Sequence, residues 1–209
     1  MRTYVALLAV GAAILVGVFG GSARAAPGQG QGKTPPTPAS ALALPDNGTV
    51  STTVTLADGT VEPVTITTSS SVAAPAKVDA LGGDAGVAAA ASLSCWTAKN
   101  EVDYGPSWAI IMTYAQTIGW CGNGSTISGT PGQQIAAKVT VTGQVTFWQF
   151  DGVIDKEMTR YYAGWAFQAY TEGHFHQCPI IQFACFDDKY PQLWMNVYAN
   201  GARERYWSG

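Results

Sequence analysis

The chain has 209 residues, of which 11 are basic and 14 are acidic, so its formal net charge is −3 with both histidines neutral. Nucleic acids and anionic membranes are bound through a basic face, so this balance argues against both as partners. The length is enough for one domain of ordinary size plus an extension.

Residues 1–25 are predicted to be a cleaved secretory signal peptide. Arg2 supplies a positive charge, residues 4–19 form an apolar run, and an A-x-A cleavage pattern ends at Ala25. The run is shorter than the ~20 apolar residues that a membrane-spanning helix needs. We therefore expect a secreted, extracellular protein with no membrane span in its mature form, whose net charge becomes −5 once Arg2 and Arg24 are removed.

Residues 26–91 are predicted to form a disordered leader of low complexity. They are rich in Pro, Gly, Ala and Thr and contain no aromatic residue and no cysteine. Within them, residues 50–67 alternate between apolar and polar side chains on both sides of an Asp58-Gly59 turn signal, which predicts a β-hairpin. A lone hairpin is marginal in water, so this one either docks on the main domain or forms only transiently.

Residues 92–209 are predicted to form an all-β domain, because they hold 21 of the 23 aromatic residues and are divided by turn signals into short alternating segments. This spacing favours an antiparallel β-sandwich (or barrel) of about seven to nine strands. One stretch, Ile154–Tyr162, is expected to hold a turn of helix with Asp155 at its N-cap. The predicted strands are Leu93–Asn100, Trp108–Trp120, Thr126–Ser128, Gln134–Thr142, Gln144–Asp151, Arg160–Thr171, Phe175–Phe186, Gln192–Ala199 and Ala202–Trp207.

The four cysteines, Cys95, Cys121, Cys178 and Cys185, predict two disulfide bonds that staple this domain, since an even number in an exported chain is typical of pairing. Their spacing lacks the C-x₂₋₄-C pairs of structural zinc sites. Long closed loops restrict the unfolded chain most, which favours Cys121–Cys178 with Cys95–Cys185. A local Cys178–Cys185 clasp is the rival pairing.

Three runs are similar to segments of a known group of proteins: W-C-G-N-G-S at residues 120–125, G-H-F-H-Q-C at 173–178 and Y-P-Q-L-W-M-N-V-Y-A-N-G at 190–201. Together they resemble uncharacterised secreted β-sandwich proteins of high-GC Gram-positive bacteria. The resemblance covers roughly residues 93–201. It implies export and a β fold, and it implies no activity, because none is assigned to that group.

His174 and His176 are the only histidines, and at positions i and i+2 of a strand they point to the same side. They are therefore weak candidates for a transition-metal site, to which Asp187 or Asp188 would add a third ligand if the chain folds back. Because metal sites need three or four convergent groups, no metal and no cofactor is assigned from the sequence.

No catalytic residue is assigned, since the chain has neither a G-x-S-x-G elbow nor an H-E-x-x-H helix. The oxidised cysteines would offer no thiolate nucleophile. The sequence thus favours a non-enzymatic protein. An extracellular hydrolase acting on polysaccharide, with carboxylates that converge only in the fold, is the alternative.

The seven tryptophans are more than a domain of this size is expected to bury, and exposed aromatic rows usually mark binding surfaces. We select Trp148, Phe150, Trp165 and Trp194 as ligand-binding candidates. The competing interpretation is that both sides of these strands are covered, since Trp and Tyr are highly buried on average. The expected function is a binding or structural module of the cell envelope or extracellular space, with a polysaccharide or an envelope protein as partner.

Overall fold

The computed structural model describes residues 40–55, 59–73, 93–178 and 185–209. The predicted signal peptide and most of the leader lie outside the described residues. The described chain is built from strands and two short helical segments, α1 (Val141–Val145) and a 3₁₀ turn at Tyr162–Gly164. The strands are β1 (Leu42–Leu44), β2 (Gly48–Thr55), β3 (Val61–Ala73), β4 (Ser94–Tyr104), β5 (Met112–Gly122), β6 (Gly132–Val139), β7 (Trp148–Tyr161), β8 (Ala166–Gln177), β9 (Asp187–Lys189), β10 (Gln192–Tyr198) and β11 (Arg203–Ser208).

These strands form two antiparallel sheets. The six-stranded sheet has the order β1-β11-β10-β8-β7, with β9 paired to the far end of β8, and the five-stranded sheet has the order β2-β3-β4-β5-β6. The predicted antiparallel, disulfide-stapled β-sandwich is thereby confirmed, and eight strands, β4 to β11, follow residue 92. Among the described residues, no helix is both long enough and apolar enough to cross a membrane.

The core lies between the two sheets and consists of two apolar clusters. One contains Val64, Val102 and Tyr114 from the five-stranded sheet with Phe175 and Leu193 from the six-stranded sheet. The other lies toward the opposite ends of β4, β5, β8 and β10. It includes, among others, Ala98, Ile118, Trp120, Phe167, Met195 and Val197. Alternate residues of each strand enter these clusters, as the period of two in a strand requires.

A buried polar layer separates the two clusters. Asn100 on β4 and Gln116 on β5 face each other in register and are fully buried, between the residues that supply the clusters. Arg205 enters the same layer from the other sheet, and its Nη2 donates a hydrogen bond to the carbonyl oxygen of Ser69 at 3.0 Å. Burial lowers the pKa of Arg205 to about 10, and the nearby Asp46 carboxylate opposes that shift.

The predicted hairpin within residues 50–67 is present as β2 and β3, and it docks on the main domain. β3 pairs with β4 from Val64 to Ala73, and Val64 and Ile66 are fully buried in the core. Asp46, which precedes β2, forms an ion pair with Arg203 on β11. The β domain thus begins well before residue 92, because the Thr- and Ser-rich end of β3 forms a strand despite its lack of large side chains.

The two disulfide bonds are Cys95–Cys121 and Cys178–Cys185, so the preferred pairing was wrong and the local clasp is present. Cys95 and Cys121 lie directly opposite each other on the neighbouring strands β4 and β5, with their Cα atoms 4.0 Å apart. Strand register determines this pairing, because it brings the Cys95 and Cys121 side chains together. The entropy of loop closure, which favoured longer loops, does not decide it.

β7 differs most from the predicted strands. The turn of helix expected at Ile154–Tyr162 is wrong, since β7 continues through it to Tyr161. The Asp151-Gly152 signal marks a β-bulge rather than a turn, because the register with β8 shifts between Phe150 and Gly152. The chain reverses instead at Tyr162–Gly164, where all three residues have positive φ, so the predicted strand Arg160–Thr171 is divided by a turn.

Candidate functional site

The outer face of the six-stranded sheet carries a row of aromatic and hydrogen-bonding side chains. We call it the outer face, and it comprises Gln168, Tyr170 and Glu172 of β8, Trp194, Asn196 and Tyr198 of β10, and Glu204 and Tyr206 of β11. The register aligns them in rows across the sheet, with Trp194 opposite both Tyr170 and Tyr206, and Asn196 opposite both Gln168 and Glu204. Their neighbours in each strand point into the core.

Two pairs of rings lie along this face. The ring centroids of Tyr170 and Trp194 are 5.0 Å apart with an angle of 31° between the planes. The ring centroid of Trp165, which directly precedes β8, lies 6.3 Å from that of Tyr198. All four side chains are partly exposed. The face therefore presents ring surface to solvent while the rings support one another.

Asn196 and Glu204 organise the polar groups of the face. Asn196 is fully buried beneath the rings; its Oδ1 accepts a hydrogen bond from Gln168 Nε2 at 3.0 Å, and its Nδ2 donates to Glu204 Oε2 at 3.0 Å. The same carboxylate oxygen accepts hydrogen bonds from the hydroxyls of Tyr198 at 2.9 Å and Tyr206 at 3.3 Å. These bonds cross three strands and hold the rings in fixed positions.

The hydroxyls of Tyr170 and Tyr198 on the outer face are held in the protonated form. Burial raises the pKa of Tyr198, and the hydrogen bond and negative charge of Glu204 raise it further. Tyr170 has the same arrangement: burial raises its pKa, and its hydroxyl donates to Glu172 Oε2 at 2.7 Å. Both hydroxyls therefore act as hydrogen-bond donors to fixed carboxylates throughout the neutral pH range.

Of the four aromatic candidates, Trp194 belongs to the outer face. Trp165 contacts Tyr198 at the end of that face and also packs against the second core cluster. Trp148 and Phe150 do not belong to the outer face. Trp148 is only 5% exposed and lies in the core, and Phe150 packs inward against Phe175 with ring centroids 4.8 Å apart. Alternation decides this outcome, because both residues lie on the side of β7 that faces the other sheet.

Tyr170, Tyr198 and Glu204 were not predicted from the sequence as site residues. Tyr198 and Trp194 are both on the side of β10 opposite Leu193, a signal that alternation already contained. Tyr170 was harder to find, because the predicted strand Arg160–Thr171 ignored the turn at Tyr162–Gly164. Glu204 gave no signal of its own, since its role depends on cross-strand neighbours that only the register defines.

The two histidines lie on the same side of β8 as Tyr170, nearer to its C-terminal end. Asp151 Oδ2 is 2.9 Å from His174 Nδ1 and 2.6 Å from His176 Nδ1. The other ring nitrogen of His174, Nε2, is 2.8 Å from Asp188 Oδ1. The chain does fold back here, because β9 pairs with the end of β8 and sets Asp188 opposite His176. Asp187 instead contacts Lys189.

A groove of about 530 Å³ lies beside this histidine cluster. Asp188 and Tyr190 line the groove and also contact His174, the first through its carboxylate and the second through a stacked ring. The other wall is formed by the end of β2, by Ser40 and Leu42, and by residues 207–209. No family model, curated protein or solved structure matches this chain.

Proposed function

We propose that the protein is an exported, non-enzymatic binding module that binds polysaccharide through the outer face, at the cell envelope or in the extracellular space. The observation that carries the proposal is the partly exposed Tyr170–Trp194 pair beside the hydrogen-bonded carboxylate of Glu204. Signal peptide, secretion and partner are all parts of this proposal. Two disulfide bonds support it, because such bonds persist in oxidising compartments outside the cytosol.

The combination of rings and polar groups suits a sugar better than it suits an apolar ligand. The C–H face of a pyranose packs on an aromatic ring, while its hydroxyls need donors and acceptors in fixed positions at the ring edge. Tyr170 and Trp194 supply the ring surface, and Gln168, Glu172 and Glu204 supply the polar groups.

The outer face is also organised before any ligand binds. Asn196, buried and bonded on both sides, links β8 to β11 through Gln168 and Glu204. Side chains that are already ordered lose little conformational entropy on binding, so more of the contact energy is available for affinity. A shallow, rigid face of this kind is suited to a long polymer, which contacts it along several units.

The test measures retention of the oxidised mature chain, residues 26–209, on insoluble peptidoglycan, chitin, cellulose and starch. We expect saturable retention on at least one of them and an affinity at least about tenfold weaker, or 1.4 kcal/mol, for Trp194→Ala. Trp108→Ala is the matched control, because Trp108 is 86% exposed and lies outside the outer face.

Two outcomes would contradict the proposal. One is that none of the four polymers retains the chain; the other is that Trp194→Ala and Trp108→Ala bind as the unaltered chain does. The hydrolase alternative is separated in the same experiment by assaying the supernatant for soluble sugar. Release of sugar by the unaltered chain, lost in Glu204→Gln or Glu172→Gln, would favour an enzyme.

A further inference from the structure

We propose that Asp151, His174 and His176 form a binding site for one divalent transition-metal ion, with Asp188 holding His174 in the required orientation. Each of the three residues offers a ligand atom, and these atoms all lie within 4.8 Å of one another; Asp151 Oδ2 faces Nδ1 of both histidines. The proposal depends on the geometry of these side chains and is independent of polysaccharide binding by the outer face.

A β-bulge brings the carboxylate to the histidines. Asp151 is the extra residue of β7 between the register pairs Phe150↔Phe175 and Gly152↔His174. Bulges re-aim a side chain and recur beside functional sites. Here the bulge sets Asp151 Oδ2 at 2.9 Å from one imidazole nitrogen and at 2.6 Å from the other. Gly152, with φ of 142°, takes the backbone conformation that follows the bulge.

The spacing fits a single ion. With bonds of about 2.0–2.1 Å in tetrahedral geometry, the ligand atoms of Zn²⁺ stand roughly 3.3 Å apart. Asp151 Oδ2 lies about 0.4 Å inside that separation from His174 Nδ1 and about 0.7 Å inside it from His176 Nδ1. Small rotations of Asp151, which is on the exposed surface, would open the space for the ion between the three atoms.

The hydrogen-bond pattern of His174 supports the metal. Both of its ring nitrogens face carboxylate oxygens, Nδ1 toward Asp151 and Nε2 toward Asp188. A neutral imidazole has only one N–H, so it satisfies only one of these contacts. With a cation at Nδ1, the proton resides on Nε2 and is donated to Asp188, the carboxylate–histidine–metal arrangement that orients ligands in known sites.

The surroundings fix the ligands while leaving coordination positions open. The ring of Tyr190 is stacked on His174 with centroids 4.7 Å apart and an angle of 4° between the planes. The histidine side chains are 22% and 17% exposed, so water or a ligand from solvent reaches the cluster. Two imidazoles and one carboxylate are the donors that Zn²⁺, Cu²⁺ and Ni²⁺ accept.

The alternative is a purely ionic cluster, in which two imidazolium rings are neutralised by Asp151 and Asp188. It places two positive rings with centroids 5.9 Å apart, and it gives the cluster no affinity for metal. The two interpretations therefore differ in one measurable property, stoichiometric uptake of a transition-metal ion.

The experiment is calorimetric titration of the tag-free, EDTA-treated mature chain with ZnCl₂. We expect one Zn²⁺ per chain, loss of that binding in Asp151→Asn and His176→Ala, and affinity about 10- to 100-fold weaker in Asp188→Asn. Glu157→Gln is the matched control, since this exposed carboxylate lies on β7 outside the cluster, and it should bind as the unaltered chain does.

A second measurement needs no substitution. The chain has only two histidines, so ¹⁵N–¹H correlation spectra of the imidazoles contain two ring systems. Zn²⁺ should shift Nδ1 of both rings and leave the Nε2 proton of His174 in place. Absence of uptake, uptake unchanged in Asp151→Asn and His176→Ala, or Zn²⁺ that leaves both Nδ1 resonances unmoved would overturn the proposal.

Discussion

The two faces of the six-stranded sheet are both rich in rings, yet they differ in what the rings contact. On the inner face, Phe175 packs against other rings and against Tyr114 of the opposite sheet. On the outer face, Tyr198 and Tyr206 donate hydrogen bonds to the carboxylate of Glu204, and Tyr170 donates to Glu172. Consecutive residues of one strand thus belong to two different environments.

The two faces show that a high content of aromatic residues does not by itself locate a binding surface. Rings beside apolar neighbours fill the core, whereas Tyr170 and Tyr198, beside fixed carboxylates, remain partly exposed. The hydroxyl of Tyr114 on the inner side also has a polar partner, since it is hydrogen-bonded to the hydroxyl of Thr171 at 2.6 Å inside the core. Burial raises the pKa of Tyr114 to about 12. The two faces therefore differ in which polar groups contact the rings and in whether solvent reaches those groups.

The largest expected effect concerns Arg205, a buried cation on the inner face. Arg205→Ala should lower the free energy of unfolding by about 3–5 kcal/mol, because it leaves a buried polar layer without its cation. Arg205→Met should cost much less, since it fills the same volume without a charge. Urea denaturation of both variants measures this, and equal losses would show that the charge has no special role there.

Substitutions at two adjacent residues of β10 compare the inner and outer faces most directly. Leu193→Ala should cost about 2–5 kcal/mol of unfolding free energy, because Leu193 is fully buried in the core. Trp194→Ala removes only a partly exposed ring paired with Tyr170, and should cost about 1 kcal/mol. Thermal and urea denaturation give both values. A larger loss for Trp194→Ala would mean that the outer face is part of the core.

A smaller effect tests how Glu204 acts on its neighbours. Glu204→Gln removes the negative charge that raises the pKa of Tyr198, so that pKa should fall toward the usual value for tyrosine. Burial also raises it, so part of the shift should remain. Carbon-13 spectra of ring-labelled tyrosine, recorded over alkaline pH, follow the change. Tyr114, which lies inside the core, serves as the internal reference.

The smallest effect concerns the outer side of the five-stranded sheet. Burial raises the pKa of Asp103, although the hydroxyl of Thr113 donates to its carboxylate at 2.6 Å. Because the folded-state pKa is above the unfolded one, the contribution of Asp103 to stability is full below about pH 4 and is lost as pH rises through the raised value. Asp103→Asn should flatten that decline, measured as unfolding free energy between pH 3 and pH 7.

Much of the fold could be predicted from alternation and turn chemistry. The alternating residues of β10 and the Asn200-Gly201 turn that follows it are confirmed, with Tyr198 and Ala202 hydrogen-bonded across the turn. β7 could not be predicted in this way, because its Asp-Gly pair forms a bulge that a turn signal does not distinguish. The disulfide pairing was equally inaccessible, since it depends on which strands become neighbours.

Individual residues of the candidate sites could be predicted from the sequence, but the complete sites could not. Spacing alone set His174 and His176 on one side of a strand, but Asp151 joins them through the register shift of β7. Among the aromatic candidates, Trp194 followed from alternation, whereas Trp148 was assigned to the wrong surface because nothing in the sequence says which side faces the other sheet. Register and layer order, both long-range properties, decide these outcomes.

The most direct test of the outer face as a binding surface is ¹⁹F spectroscopy of the mature chain labelled with 5-fluorotryptophan at its seven tryptophans. Soluble oligomers of N-acetylglucosamine, glucose in β-1,4 linkage and glucose in α-1,4 linkage are titrated in turn. We predict that at least one oligomer shifts the resonance of Trp194, and to a smaller degree that of Trp165, while the core residues Trp120, Trp148 and Trp207 stay unmoved. No shift with any oligomer, or a shift confined to Trp108, would contradict the account.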